Sequence, residues 1–267
     1  MTHSAPRLPV LLLAVAAACG GDRGAPENGP PSDTSTTQAP APVRPGDPGS
    51  DAASASADST FAALRAAVCD TIDNSLDCAR AVEARRLPAT DRALRRGGAL
   101  VLRLEAGDSL RLADRADGDP SAREYHSFQG HWEDRSYFLV QKQYYEGAEY
   151  LLVQDSTGAV TRLPSWPLLA PDGARFAVLS LDLVAGYGPN TLQIWSFDGG
   201  SPAREWETEP SQWGPREGRW TSPDTLRFTQ YGYCDQLGGE GRGMCGRPAA
   251  LHREGGSWHL RVGDELR

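Results

Sequence analysis

The sequence predicts an all-β fold preceded by a short helical segment, and three observations predict it. Short apolar runs rich in Val, Leu, Ile and aromatic residues recur from residue 98 to the C-terminal end. Gly, Pro, Asp or Asn closes nearly every run, which is the signature of strands rather than helices. Two of the closing turns carry Pro-Asp shortly after a Trp, so the pattern repeats.

The clearest strands lie between Trp166 and Gly200, which reads WPLLAPDGARFAVLSLDLVAGYGPNTLQIWSFDGG. Pro171-Asp172-Gly173 is a turn: Pro fixes φ, Asp bonds back to its own backbone, and Gly accepts a positive φ. Strands are expected over Arg175–Ser180 and Leu192–Phe197, with Asp198-Gly199-Gly200 as the next turn. Arg219–Thr229 repeats the pattern, with Trp220 ahead of Pro223-Asp224. The Trp…(Ser/Ala)-Pro-Asp…strand…Leu-Gln-Ile-Trp pattern resembles the β-propeller repeats of TolB-like proteins. It departs from them at Ala170, at Thr225 and in the placing of Trp166. The resemblance covers roughly residues 160–230 and implies stacked four-stranded units. It implies an architecture and no activity.

The remaining strands follow the same logic. Residues 98–104 and 109–113 form a hairpin around Glu105–Asp108. Residues 136–145 and 149–154 form another, turning at Glu146-Gly147, and Asp155–Gly158 turns into 159–163. Strands are expected over 204–208, 249–253 and 258–262, the last pair joined by Glu254-Gly255-Gly256. The domain over 91–267 has room for about four propeller-like blades at roughly 40–50 residues each, closed or incomplete. A β-sandwich or an open meander is the alternative.

The helical entry spans 58–90. Ser59 can cap a helix through Phe61–Val68, with Phe61, Leu64 and Val68 on one face. Asn74 or Ser75 can cap a second over Leu76–Arg86, with Cys78, Val82 and Arg85 on its face and Pro88 beyond its end. Together they should cover part of the β-domain. Apart from Cys19, four cysteines remain: Cys69, Cys78, Cys234 and Cys245. An even number in an exported chain points to disulfides. Three connectivities are open, and the local pairs Cys69–Cys78 and Cys234–Cys245 are favoured by proximity.

Ahead of these elements, residues 1–18 read MTHSAPRLPVLLLAVAAA. Arg7 followed by an apolar run of about 11 residues is too short to cross a bilayer and fits a secretory signal. Ala16-Ala17-Ala18-Cys19 resembles the lipobox of bacterial lipoproteins, which implies an acylated Cys19. The alternative is an ordinary A-x-A cleavage site. Gly20 lacks the Asp that resembles an inner-membrane retention signal, so the outer membrane is the expected address, with the protein facing the periplasm or the cell surface. Residues 19–57 are dominated by Gly, Pro, Ser, Asp, Ala and Thr and should form a disordered tether. Such a coil spans on the order of 35 Å.

The charge is −8, and Lys142 is the one lysine. Because affinity for nucleic acid rests on neutralising phosphates, an acidic chain is a poor nucleic-acid binder. No Gly-x-Ser-x-Gly, phosphate loop or Cys-x-x-Cys is present, and no cofactor is implied. His126 and His131, with Glu133 and Asp134, are candidate metal ligands, but strand or loop polar residues fit them better, and no metal is expected. Tyr144, Tyr145, Glu146 and Glu149 could form a glycan-acting edge, since paired carboxylates can divide acid and base roles. A solvated turn is the simpler reading. His252 and His259 fall on the last hairpin. Gly238–Gly243 reads as a loop closed by Cys234 and Cys245. Asp182, Tyr187 and Asn190 lie in the loop of the central stretch and are the candidate binding residues. The expected function is a lipid-anchored envelope protein that binds or scaffolds a protein or glycan partner without catalysis. A hydrolase on the same fold and an inhibitor of a lysozyme-type enzyme are the alternatives.

Overall fold

The computed structural model describes residues 61–197, 200–239 and 242–263. The signal, Cys19, the tether, the Ser59 cap and the turn at 198–199 lie outside the described residues. What is described belongs to one compact unit, Gly46–Arg267.

Four antiparallel sheets follow one another along the chain. The first holds β1 (Ala93–Arg95), β2 (Ala99–Arg103) and β3 (Ser109–Ala113). The second holds β4 (Glu124–Trp132), β5 (Tyr137–Tyr144), β6 (Gly147–Gln154) and β7 (Val160–Leu163). The third holds β8 (Pro167–Leu169), β9 (Arg175–Ser180), β10 (Thr191–Ser196) and β11 (Ala203–Thr208). The fourth holds β12 (Trp213–Ser222), β13 (Thr225–Tyr233), β14 (Met244–Glu254) and β15 (Ser257–Val262). Within each sheet the strands pair in chain order, as the blades of a propeller do. Both Pro-Asp turns join the first strand of a sheet to its second, in the third and fourth sheets alike. The two copies seen in the sequence are therefore equivalent in the fold.

Burial explains the stacking. Alternate residues of each strand face a neighbouring sheet, and three apolar clusters fill the spaces between consecutive sheets. Leu100 and Leu102 meet Phe128, Phe138, Val140 and Val153 between the first and second. Leu139, Tyr150 and Leu152 meet Phe176 and Val178 between the second and third. Leu192 and Ile194 meet Leu226, Phe228 and Leu251 between the third and fourth. Polar ties reinforce the later two junctions: Tyr137 Oη donates to the Gly200 carbonyl at 3.0 Å, and Trp220 Nε1 to the Leu168 carbonyl at 2.9 Å. The two end faces of the row are not covered. Arg103 and Arg111 on the first sheet and Arg219, Arg227 and His259 on the last are exposed. Among the described residues the row of sheets is thus open, not closed into a ring.

The helices cap the second sheet. The helix through 61–69 (α1) turns through 70–74 into α2 (Ser75–Arg86). Asn74 is the N-cap: its Oδ1 accepts from the N–H groups of Leu76 at 2.8 Å and Asp77 at 3.1 Å. The Cys69–Cys78 disulfide ties the end of α1 to α2, and Cys234–Cys245 closes the β13–β14 loop. Of the three open connectivities, the two local pairs form. The buried face of α2 is Cys78, Ala79, Val82 and Glu83; Arg85 is exposed. Glu83 turns inward because β4 offers it a donor. A bulge at Gln129 breaks the pairing of β4 with β5, between Phe128 and Gly130. The freed Phe128 N–H then donates to Glu83 Oε2 at 2.6 Å, while Gln129 Nε2 donates to the Ala79 carbonyl at 3.2 Å. Gly130 completes the seat, since a Cβ there would stand 2.8 Å from the Phe61 ring of α1.

Other sequence expectations are corrected: the stretch around His126 and His131, read as strand or loop, is the nine-residue strand β4, and β12 begins at Trp213, ahead of the expected Arg219. The β5–β6 turn is Tyr145-Glu146, because Tyr144 already pairs with Gly147. The short strands β1 and β8 carry too few residues to show a period.

Candidate functional site

Chain order within each sheet puts equivalent connections at the same end. The connections from second to third strand are Tyr145-Glu146 in the second sheet and residues 181–190 in the third. In the fourth it is the loop closed by Cys234 and Cys245, of which 240–241 lie outside the described residues. The first two enclose a cleft of about 470 Å³, lined among others by Tyr144, Glu146, Glu149, Arg162, Leu181 and Tyr187. A second cavity of about 380 Å³ lies across the β5–β6 hairpin, against the start of α2. Tyr144 lines both.

Local sequence explains the shape. Gly147 lets the Tyr144 ring fold over the hairpin, since a Cβ there would stand 2.9 Å from it. Burial, with the nearby Glu149 carboxylate, holds the Tyr144 phenol protonated. Asp182 builds the facing loop. Its carboxylate accepts from the N–H groups of Ala185 at 3.0 Å, Gly186 at 2.8 Å and Gly188 at 2.8 Å. The Gly186 and Gly188 N–H groups hold it below the usual carboxylate range. Gly186 takes φ +70°, which lets the loop fold back over that carboxylate.

Asn190 is also framework. Its Nδ2 donates to the Trp213 carbonyl at 2.6 Å and to the Pro210 carbonyl, while Oδ1 accepts from the Asp182 N–H. Of the three residues named from the sequence, Asp182 and Asn190 therefore spend their polar groups on the loop. Only Tyr187 presents its ring, 56% exposed, to the outside.

Of the other charged groups at the cleft, Glu146 is exposed while Arg162 and Glu149 are paired. Arg162 donates to Glu149 at 3.0 Å; Lys142 stands 3.7 Å from Glu149 and 3.1 Å from Glu124. The Lys142 ammonium lowers the Glu124 carboxyl. Aromatic rings beside paired charges suit stacking and polar contact with a ligand or partner.

The remaining candidates lie elsewhere. His131 is buried on the first-to-second sheet junction, with Nε2 3.0 Å from Asp155 Oδ2 and its ring stacked on Phe138. Burial pushes the imidazole down against the opposing pull of Asp155. His126 lies 3.6 Å from Asp114. No group of three or more His, Cys, Asp and Glu able to hold a metal occurs among the described residues. Glu133 and Asp134 sit in a short 3-10 turn after β4. His252 and His259 face each other across β14 and β15.

Sequence reading named the tyrosine hairpin and the 181–190 loop separately and passed over Arg162. Their convergence follows from equal position within successive four-strand units, a signal present in the strand count. No protein-family model matches the chain, and no curated protein matches it.

Proposed function

We propose that this protein is a non-enzymatic binding module of the bacterial envelope, held through an acylated Cys19 at the outer membrane. Its partner, a protein or glycan of the envelope, docks on the rim formed by the second-to-third strand connections. One observation carries this reading. The large apolar residues left exposed among the described residues gather there: Tyr145 (64%), Leu181, Val184 (80%), Tyr187 and Tyr233 lie on that rim. Only Val160 and Leu260 lie elsewhere. Exposed apolar surface so concentrated marks an interaction site. The resemblance to TolB-like repeats agrees with such a role but supplies no partner.

The test compares the full chain, made under oxidising conditions, with a Tyr145→Ala/Tyr187→Ala variant. Both are cross-linked to source envelopes and the retained proteins and glycans are identified by mass spectrometry. A partner held saturably by the unaltered chain and lost by the variant supports the reading. Identical retention by both sinks it. The Cys234–Cys245 loop shares the same rim, which keeps a second reading alive, the inhibition of a lysozyme-type enzyme. A turnover assay with added full chain decides that one, since an inhibitor slows lysis in proportion to its concentration.

A further inference from the structure

The outer face of the fourth sheet carries an array that the binding rim does not use. Strand register fixes which side chains share that face. Leu226, Phe228, Ala249 and Leu251 point into the core against the third sheet, so their alternates point out. One outward row crosses all four strands: Arg219 opposite Arg227, Arg227 opposite Ala250, and Ala250 opposite Arg261. The next row places Thr225 opposite His252 and His252 opposite His259. Arg216 stands one step further on, opposite Thr229, with its guanidinium 4.6 Å from the Tyr231 ring centroid.

Three features make this a face rather than scattered surface charge. Arg219 and Arg227 are exposed and directly opposed across strands, an arrangement that destabilises a sheet unless something neutralises it. Neither has a carboxylate partner among the described residues. Ala250, between Arg227 and Arg261 in the register, is fully buried although it points outward, as it would be beneath the long stems of its Arg neighbours. The acidic groups on this face are few. Glu254 pairs with Arg261, and Glu217 accepts from Thr229 Oγ1 at 3.2 Å. This basic row sits on a chain whose net charge is −8, so its sign is opposite to that of the molecule as a whole.

We infer that this face docks on the phosphate headgroups of an anionic membrane. The inference rests on the reading that the protein is held at a membrane, and it adds an orientation. A four-stranded face carrying several guanidinium groups can meet an array of phosphates, which Arg binds in bidentate fashion. Lipid anchoring combined with a basic surface is a two-signal attachment. With the last sheet on the membrane, the rim at the ends of the strands stays open to a partner.

The test uses the full chain with Cys19→Ala, which removes the proposed anchor from the measurement. It is floated with vesicles of phosphatidylcholine alone and with vesicles containing one third phosphatidylglycerol. The chain should partition to the anionic vesicles at least tenfold better, and the preference should fade in 0.5 M salt. Arg219→Gln/Arg227→Gln/Arg261→Gln should weaken the anionic partition on the order of a hundredfold, since each basic residue is worth about fivefold at such a surface. The control alters equal charge on the opposite end face, Arg96→Gln/Arg103→Gln/Arg111→Gln, and should leave the preference in place. No preference for anionic vesicles, or equal loss in both triple variants, overturns the inference. The anchor is judged apart from it: unaltered chain recovered from its source should float with neutral vesicles and the Cys19→Ala chain should not.

Discussion

Two polar regions of the second sheet are built to opposite rules. Where α2 meets β4, the Glu83 carboxylate is buried and bonded on several sides, although the neighbouring Arg86 Nε and His126 Nδ1 are buried without a hydrogen-bond partner among the described residues. Glu83, 7% exposed, accepts from Arg95 Nε at 2.7 Å and Nη2 at 3.1 Å and from the Phe128 N–H. Arg95 also reaches Asp114 Oδ2 at 2.9 Å and the His126 carbonyl. This network joins helix, first sheet and second sheet. At the hairpin tip, by contrast, the aromatic side chains face water and Arg162 is 67% exposed. A satisfied buried network fixes a single geometry. An exposed aromatic rim contributes little to folding and is available for contact. The bonded junction and the proposed binding rim thus lie on the same sheet, and mutation can test whether stability and binding are separate.

The largest effect should come from Glu83→Ala. It leaves the Arg95 guanidinium and the Phe128 N–H without their acceptor at the helix junction. Removing one member of a buried ion pair costs about 3–5 kcal/mol, so the urea midpoint should fall steeply while the slope stays constant. A fall below about 1 kcal/mol would mean that water replaces Glu83 and that α2 is only loosely seated. Next comes Cys69→Ser/Cys78→Ser, which frees α1 from α2. Loop entropy for so short a span predicts a loss of about 2.5–3 kcal/mol, readable as a lowered unfolding midpoint, with the reduced wild-type chain lower still because it also loses Cys234–Cys245.

How much of this was legible in the sequence follows the same division. The strands β3 and β9 stand where their breakers put them, because turn residues act locally. The disulfides were legible because their partners lie close in the chain. The helix junction was not. Glu83 reads as a solvated helix residue, and only the bulge at Gln129, which no local pattern announces, gives it a buried donor. Asp182 and Asn190 look like ligand residues in a polar loop, yet their polar groups shape the loop. A sequence shows polarity without showing whether backbone groups have already claimed it.

Acid should loosen the helix junction. Burial alone would raise the Asp114 carboxyl, but contacts with His126 and the Arg95 guanidinium hold it below its ordinary value. The His126 N–H at 2.8 Å is the bond that counts, as the imidazole at 3.6 Å is too far for one. A depressed carboxyl contributes stability that is complete above its unfolded value and is lost as pH falls through the folded one. Unfolding midpoints measured from about pH 5 downward should therefore drop more steeply for the wild-type chain than for Asp114→Asn. Parallel curves would show that other carboxylates control the acid limb.

The smallest effect on stability should come from the rim, and it sharpens the comparison most. Tyr145 and Tyr187 are more than half exposed and lie outside the three core clusters. Tyr145→Ala/Tyr187→Ala should leave the unfolding free energy within about 0.5 kcal/mol of wild type, while partner capture is lost. Glu83→Ala should do the reverse, with the fraction that stays folded capturing the partner normally, because the hairpin and the 181–190 loop do not lean on Glu83. If the tyrosine variant is instead destabilised by 2 kcal/mol or more, a loss comparable to a core truncation, its rings are structural. The rim would then be a packed surface, and the site would have to be sought on the basic face of the last sheet.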